Sequence, residues 1–570
     1  MIRFPPFKKM IVKKAGNNVE PISSYKRGVH LGKYVFSNAL GERSEAVLKK
    51  FIMMFAVFLC ALIIFMIWLN TGDEKQGRTN EKTAVVKTAE KPVIVLIIDS
   101  LMDVPLKKAV KEGRAPALKF FLENGRYEPE VVSAYPTMSV SIDSTLLTGT
   151  YPHIHHVPGL VWYNEKEKRL VNYGSDKKEM VSLGLKQTIK DGMYSLNHRH
   201  LSTKTTTIHE DLEKQGKQSA SVNGLIYRGN HRHELNIPPP LKRLKLMPEK
   251  MSINGPALFS LGRFAQLNPE NRDHHIWQRY GVNDKFTAQE VSYLIKKHKL
   301  PALTVAYLPD FDRVAHQKGP NNMNGLEKID EELQRMLSTY NSWSEACQQA
   351  VWVIMGDSGQ TVIGKDRDKA VIRLHSVFAD DRTADIKGPR NQDQLMFAVN
   401  DRMAFIYCIE QSMPVKGAVN TLKKDGRIGF AAWKENGWIY ADSKQAKEPL
   451  RFRPGGRYTD SYGQSWSIGG DFSVLNLSVN GRMLRYGDYP DALARLYSAL
   501  HSHSGRYVVA DAKPGYQFAA EKSPLHLGGG GHGSLYKMDS LAPMIIVGSD
   551  EAPKHLRHVD LKEFFIRLTE

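Results

Sequence analysis

The sequence predicts an α/β fold: a doubly wound, mostly parallel sheet with helices on both faces. Val93–Ile98 reads VIVLII, a β-branched run that is apolar at every position, as a strand buried on both faces of a parallel sheet requires. Runs of similar texture recur at Ser219–Val222, Leu303–Leu308, Val351–Met355 and Met544–Val547. Helical patterns lie between several of them, at Thr206–Gln215, Thr287–Lys297 and Gly325–Asn341, and strands alternating with helices imply crossover connections.

Two stretches interrupt that alternation within an expected catalytic domain of residues 91–570. Residues 225–285 are rich in Pro, His and basic side chains and are expected to form a loop-heavy cap. Residues about 365–480 carry short β-like runs (Lys369–Phe378, Met403–Cys408, Arg427–Trp433, Trp438–Ala441) and are expected to form a smaller β-rich insert.

The amino-terminal residues have a different character. Phe51–Leu69 is an unbroken apolar run, about 28 Å long as a helix against a hydrocarbon core of roughly 30 Å. It lacks the polar face of a surface-packed helix and the small-residue cleavage site of a signal peptide, so residues 51–70 read as an uncleaved transmembrane anchor. Residues 1–50 hold eleven Lys or Arg against three Asp or Glu, a net charge of +8. That excess places the tail in the cytoplasm and residues beyond the span outside the membrane. Residues 71–90 are polar and aperiodic, a linker.

Composition narrows the classes further. With 42% apolar and 24% charged residues the chain is not disordered. Its +19 net charge shows no basic stripe interleaved with aromatics, so no nucleic-acid partner is expected, and anionic lipid or wall polymer fits better. Three cysteines (Cys60, Cys347, Cys408) form no disulfide framework, and a large exported domain without one suggests a bacterium.

The chemistry-bearing residues stand where the apolar strands end. Ile98 is followed by Asp99, Met355-Gly356 by Asp357, and Leu308 by Pro309-Asp310-Phe311-Asp312. Ligands of open parallel sheets sit beyond the carboxyl ends of strands. Three carboxylates converging there would repel one another unless a divalent cation compensates them. A single such Asp reads best as a helix cap, whereas three together point to a metal site. Asp312 and His316 are four apart, on one face if helical. His532 lies in Gly528-Gly-Gly-Gly-His532-Gly-Ser534, where glycines permit close approach. Ser139, in Pro136-Thr-Met-Ser139-Val-Ser-Ile-Asp-Ser-Thr-Leu-Leu-Thr148, opens a predicted helix whose amino terminus favours an anion. No G-x-S-x-G elbow is present, which disfavours an acyl-transfer serine hydrolase.

These residues, in this order, resemble the alkaline phosphatase superfamily, and within it the nucleotide pyrophosphatase/phosphodiesterase branch. The resemblance runs through VIVLIIDS around Asp99, Pro136-Thr-Met-Ser139…Thr148-Gly-Thr-Tyr-Pro152, Asp312-Arg-Val-Ala-His316-Gln-Lys-Gly-Pro320 and His532-Gly-Ser534. It implies a metal-dependent hydrolase of phosphoesters, with Ser139 as nucleophile passing through a phosphoseryl intermediate. It also implies two divalent ions, usually zinc: one on Asp312, His316 and His532, the other on Asp99, Asp357 and the Ser139 oxygen. Two departures stand out. Where the family has S-D-H-G, this chain reads Gly356-Asp357-Ser358-Gly359, so the second ion lacks an imidazole and its site tilts towards manganese or magnesium. Leu160 replaces an Asn that holds a phosphoryl oxygen in the phosphodiesterases. Transfer of phosphoglycerol or phosphoethanolamine, or a degenerate non-catalytic surface module, are the alternative readings.

Overall fold

A computed structural model describes residues 89–570, and before them Met54 alone. The expected tail, membrane span and nearly all of the linker therefore lie outside the described residues. Among the described residues no helix is long and apolar enough to cross a membrane.

The core is a seven-stranded sheet in the order Arg126–Val132, Leu541–Val547, Val351–Gly356, Val93–Ile98, Leu303–Leu308, Ser219–Val222, Leu258–Ser260. The last five are mutually parallel; Leu541–Val547 runs antiparallel to Val351–Gly356, and Arg126–Val132 antiparallel to Leu541–Val547. Val93–Ile98 is fully buried, and its residues alternate between two cores. Ile94, Leu96 and Ile98 pack with helices Asp103–Lys111, Pro116–Asn124, Asp284–Lys296 and Met323–Leu337. Val93, Val95 and Ile97 pack with helices Ser139–Thr148, Ile208–Lys214 and Leu561–Arg567. Helices thus cover both faces. Ile98 stands opposite both Gly356 and Leu308, so three neighbouring strands end at one level.

The β-rich insert differs from expectation in size and extent. Its sheet has nine strands, more than the core sheet, and spans Leu395 to Ala512. The extension past 480 arises because Tyr507–Ala512 pairs between Met403–Cys408 and Ile428–Glu435. That pairing joins segments about a hundred residues apart in sequence, which local patterning does not reveal. Helix Val415–Leu422 covers one face of this sheet and Ala492–Leu500 the other. The expected strand Lys369–Phe378 is instead two short helices around Val371–Arg373. The cap-like segment holds a hairpin of His231–Glu234 with Ser252–Gly255 over its own small apolar core, and it also supplies the edge strand Leu258–Ser260 of the main sheet. Cys347 and Cys408 are both free thiols.

Candidate active site

The carboxyl ends of the three central strands meet. Ser100, held at φ 61°, ties them together: its N–H donates to Asp357 Oδ1 at 2.8 Å and its hydroxyl to Asp312 Oδ1 at 3.0 Å. A non-glycine residue in the left-handed region costs free energy and persists where its surroundings enforce it, often at functional sites. Asp312 lies in the first turn of helix Asp310–Lys318, one turn before His316. Asp310, its neighbour in sequence, turns away to Arg279 and the Asp284 N–H.

Asp312 Oδ1 lies 3.1 Å from Nε2 of His316 and 3.5 Å from Nε2 of His532. Each imidazole is anchored at the far nitrogen by a main-chain carbonyl: His316 Nδ1 to Gly530 O at 2.8 Å, and His532 Nδ1 to Thr137 O. A carbonyl only accepts, so Nδ1 carries the proton and Nε2 is left for a ligand, the arrangement that orients metal-binding histidines. The ligand atoms of Asp312, His316 and His532 all fall within 4.8 Å of one another, a group able to hold a metal ion. Burial alone would raise the Asp312 carboxyl, but the two imidazoles hold it well below the usual range. Burial pulls His532 down, but its bond to Asp312 and the charges of Asp312 and Asp401 push it up to about 9.

The glycine run makes this approach possible. A Cβ on Gly529 would lie 1.8 Å from the His316 carbonyl oxygen, and one on Gly530 2.1 Å from Gln360 Oε1. Gly530–Gly531 pairs with Thr361–Val362, which fixes the His532 loop to the segment following Asp357. A turn of the β-rich sheet completes the support: His532 N–H donates to Asp401 Oδ2 at 2.9 Å, and Arg402 N–H to His532 O at 2.9 Å.

Ser139 opens helix Ser139–Thr148, whose amino terminus no side chain caps. Its Oγ lies 3.5 Å from Asp99 Oδ1, and Tyr307 donates its hydroxyl to Asp99 Oδ2. Asp99 and Asp357 are buried, and burial followed by mutual charge repulsion raises Asp99 well above its ordinary value. Burial also raises Asp357, whose Oδ2 is buried without a hydrogen-bond partner. Uncompensated buried carboxylates with an orphaned oxygen suit a divalent cation. The structure thus brings together all six residues singled out from sequence, Asp99, Ser139, Asp312, His316, Asp357 and His532. Ser358 Oγ is buried and unpartnered, and Leu160 is fixed through its N–H by Asn400 Oδ1 at 2.8 Å.

Several residues of the site were not singled out from sequence. Tyr307 carries no motif, and Ser100 stands in VIVLIIDS only as the residue that follows Asp99. Asp401 reads as an ordinary turn residue, and His526, stacked on His316 with ring centroids 3.9 Å apart, precedes the glycine run. His316, Asp401 and His526 form a second group of close ligand atoms. Asp143 was legible only as a polar residue one turn after Ser139.

Carboxylates and imidazoles thus gather at the strand ends around a helix-borne serine. An inactive variant of murine ectonucleotide pyrophosphatase/phosphodiesterase 5, in complex with AMP, shares the fold at a TM-score of 0.50 and 13% identity, over 84% of this chain and 95% of that one. Phosphonoacetate hydrolase from Sinorhizobium meliloti 1021, in complex with phosphonoacetate, does so at 0.50 and 13%, over 85% and 97%. Residues 93–453 match the type I phosphodiesterase/nucleotide pyrophosphatase family, and the chain belongs to it. It is a hydrolase acting on phosphoester bonds. No curated protein sequence matches the chain significantly.

Proposed function

We propose that this chain is a membrane-anchored, extracytoplasmic phosphodiesterase or phosphatase that works through a phosphoseryl intermediate on Ser139. The observation that carries the reading is the placement of Ser139 Oγ 3.5 Å from Asp99, with Asp312 between the Nε2 atoms of His316 and His532 on the same rim. Asp312, His316 and His532 would hold one divalent ion, zinc by its ligand types, and Asp99 and Asp357 the other, with manganese or magnesium favoured there. Bound ions supply positive charge that favours the ionised Ser139 oxygen and neutralises phosphoryl oxygens.

Ser139 attacks phosphorus from a helix amino terminus, where free N–H groups favour the incoming anion. The P–O bond to the leaving alcohol breaks as the Oγ–P bond forms, and water then cleaves the Oγ–P bond to release phosphate or its monoester. Tyr307 and Ser100 orient Asp99 and Asp312 throughout. The substrate is a phosphoester such as a nucleotide, a lipid head group or a wall-polymer fragment. Membrane attachment through residues 51–70, with the tail inside, rests on the apolar run and its basic flank.

Hydrolysis of chromogenic phosphomonoesters and diesters by the purified protein with added zinc or manganese tests the reading. Turnover abolished by Ser139→Ala is expected; metal-loaded protein inert on both substrates, or undiminished turnover by the variant, would refute it.

A further inference from the structure

Gln360 follows Asp357 by three residues and is only 2% exposed. Its backbone N–H donates to Met102 Sδ at 3.2 Å, and its side chain reaches into the centre of the site. Nε2 donates to Asp312 Oδ1 at 2.8 Å and to Ser100 Oγ at 3.0 Å, with the Asp312 carbonyl oxygen further off at 3.5 Å. The Ser100 hydroxyl donates in turn to the same Asp312 oxygen. Two donors therefore converge on the carboxylate that stands between the Nε2 atoms of His316 and His532. These partners fix which way the amide points, because the reverse orientation would set a carbonyl oxygen against the Asp312 carboxylate.

The other end of the amide is unsatisfied. Oε1 is buried with no hydrogen-bond partner and packs against Gly530, the residue whose carbonyl orients His316; a Cβ there would lie 2.1 Å from it. A buried acceptor without a donor costs free energy that a hydrocarbon side chain of this size would not. Local rules of this kind are broken at functional sites, and here the compensating gain on view is the hold on Asp312. We propose that Gln360 is a positioning residue for the first metal site: with Ser100, its carboxamide locks the Asp312 carboxylate in the orientation that receives zinc together with His316 and His532. The inference rests on the reading of those three residues as a zinc site. Carboxylates that bind metals are themselves held by hydrogen bonds, and losing such a partner weakens binding about 10- to 100-fold. Gln360 is not a ligand in this role, since Nε2 carries only donor hydrogens and Oε1 faces Gly530.

The test uses the purified full chain, with Gln360→Met removing the donor and the orphaned oxygen together at similar volume, and Gln360→Leu removing them with a different shape. Zinc affinity, measured by competition with a chromogenic chelator, should fall at least tenfold in both. Cobalt bound in place of zinc should show altered visible bands, which report the geometry of the ligands. Metal-free melting temperatures should stay within a few degrees of wild type, because the lost hydrogen bonds are offset by removal of the buried orphan. A purely structural glutamine would give the reverse: a lower metal-free melting temperature, with zinc affinity and cobalt spectrum unchanged in the protein that remains folded. That pattern, wild-type zinc affinity in either folded variant, or failure of both variants to fold without metal would overturn the inference. A wild-type chain that takes up no zinc overturns the zinc-site reading and this inference with it, and that result is read on wild type alone.

Discussion

Replacing Gly529 by alanine tests how tightly the glycine run couples the two histidines. The added Cβ would sit 1.8 Å from the His316 carbonyl oxygen and 2.7 Å from its carbon. Both are main-chain atoms of helix Asp310–Lys318, so no side chain can rotate away. Restoring an ordinary contact near 3.4 Å requires the loop and the helix to separate by about 1.5 Å, and overpacking of this kind costs about 1–3 kcal/mol. The loop carries His532 and the Gly530 carbonyl that orients His316. The same displacement therefore carries both Nε2 atoms away from Asp312, to which they now lie at 3.1 and 3.5 Å. Disturbing the groups that orient metal ligands weakens binding about 10- to 100-fold. Zinc affinity by competition with a chromogenic chelator should fall by at least tenfold, together with a lower melting temperature. Wild-type zinc affinity in a folded Gly529→Ala protein would refute the coupling.

Three further outcomes are expected. Arg402 and Asp539 are both fully buried and paired, and Arg402 also donates to Thr361 Oγ1 at 2.8 Å and Ala512 O at 3.0 Å, so Arg402→Met should cost about 3–5 kcal/mol in denaturant unfolding by leaving Asp539 uncompensated. Burial holds His209, His503 and His558 down to about 3, so the folded state binds fewer protons than the unfolded chain below pH 6.5. Stability should therefore fall as pH drops from 6.5 towards 3, by about 1 kcal/mol per imidazole between pH 6.5 and 5.5, and His209→Gln should flatten the melting-temperature profile. Chelation should abolish turnover and lower the melting temperature, with both restored by zinc plus manganese and not by calcium.

The main sheet was legible because its strands are buried on both faces and so are apolar at every position. The acids ending them are legible for the same reason, since Asp99 and Asp357 interrupt runs that are otherwise continuously apolar. Asp312, His316 and His532 could be read from spacing and neighbouring glycines. The β-rich sheet extends beyond its sequence signal because the pairing of Tyr507–Ala512 with Met403–Cys408 is long-range and leaves no local mark. Lys369–Phe378 is β-branched in part, yet Asp366 caps a short helix there by accepting from the Asp368 and Lys369 N–H groups. Ser100 and Asp401 are ordinary polar turn residues in sequence. Their part in the site comes from what other strands bring beside them.

Acid quench of the wild-type protein during turnover of a phosphodiester, followed by peptide mass spectrometry, tests the central claim most directly. The account predicts a phosphoryl adduct on Ser139 that disappears when substrate is exhausted and is absent in Ser139→Ala. Full turnover with no adduct on Ser139 at any time point, and an active Ser139→Ala protein, would contradict it.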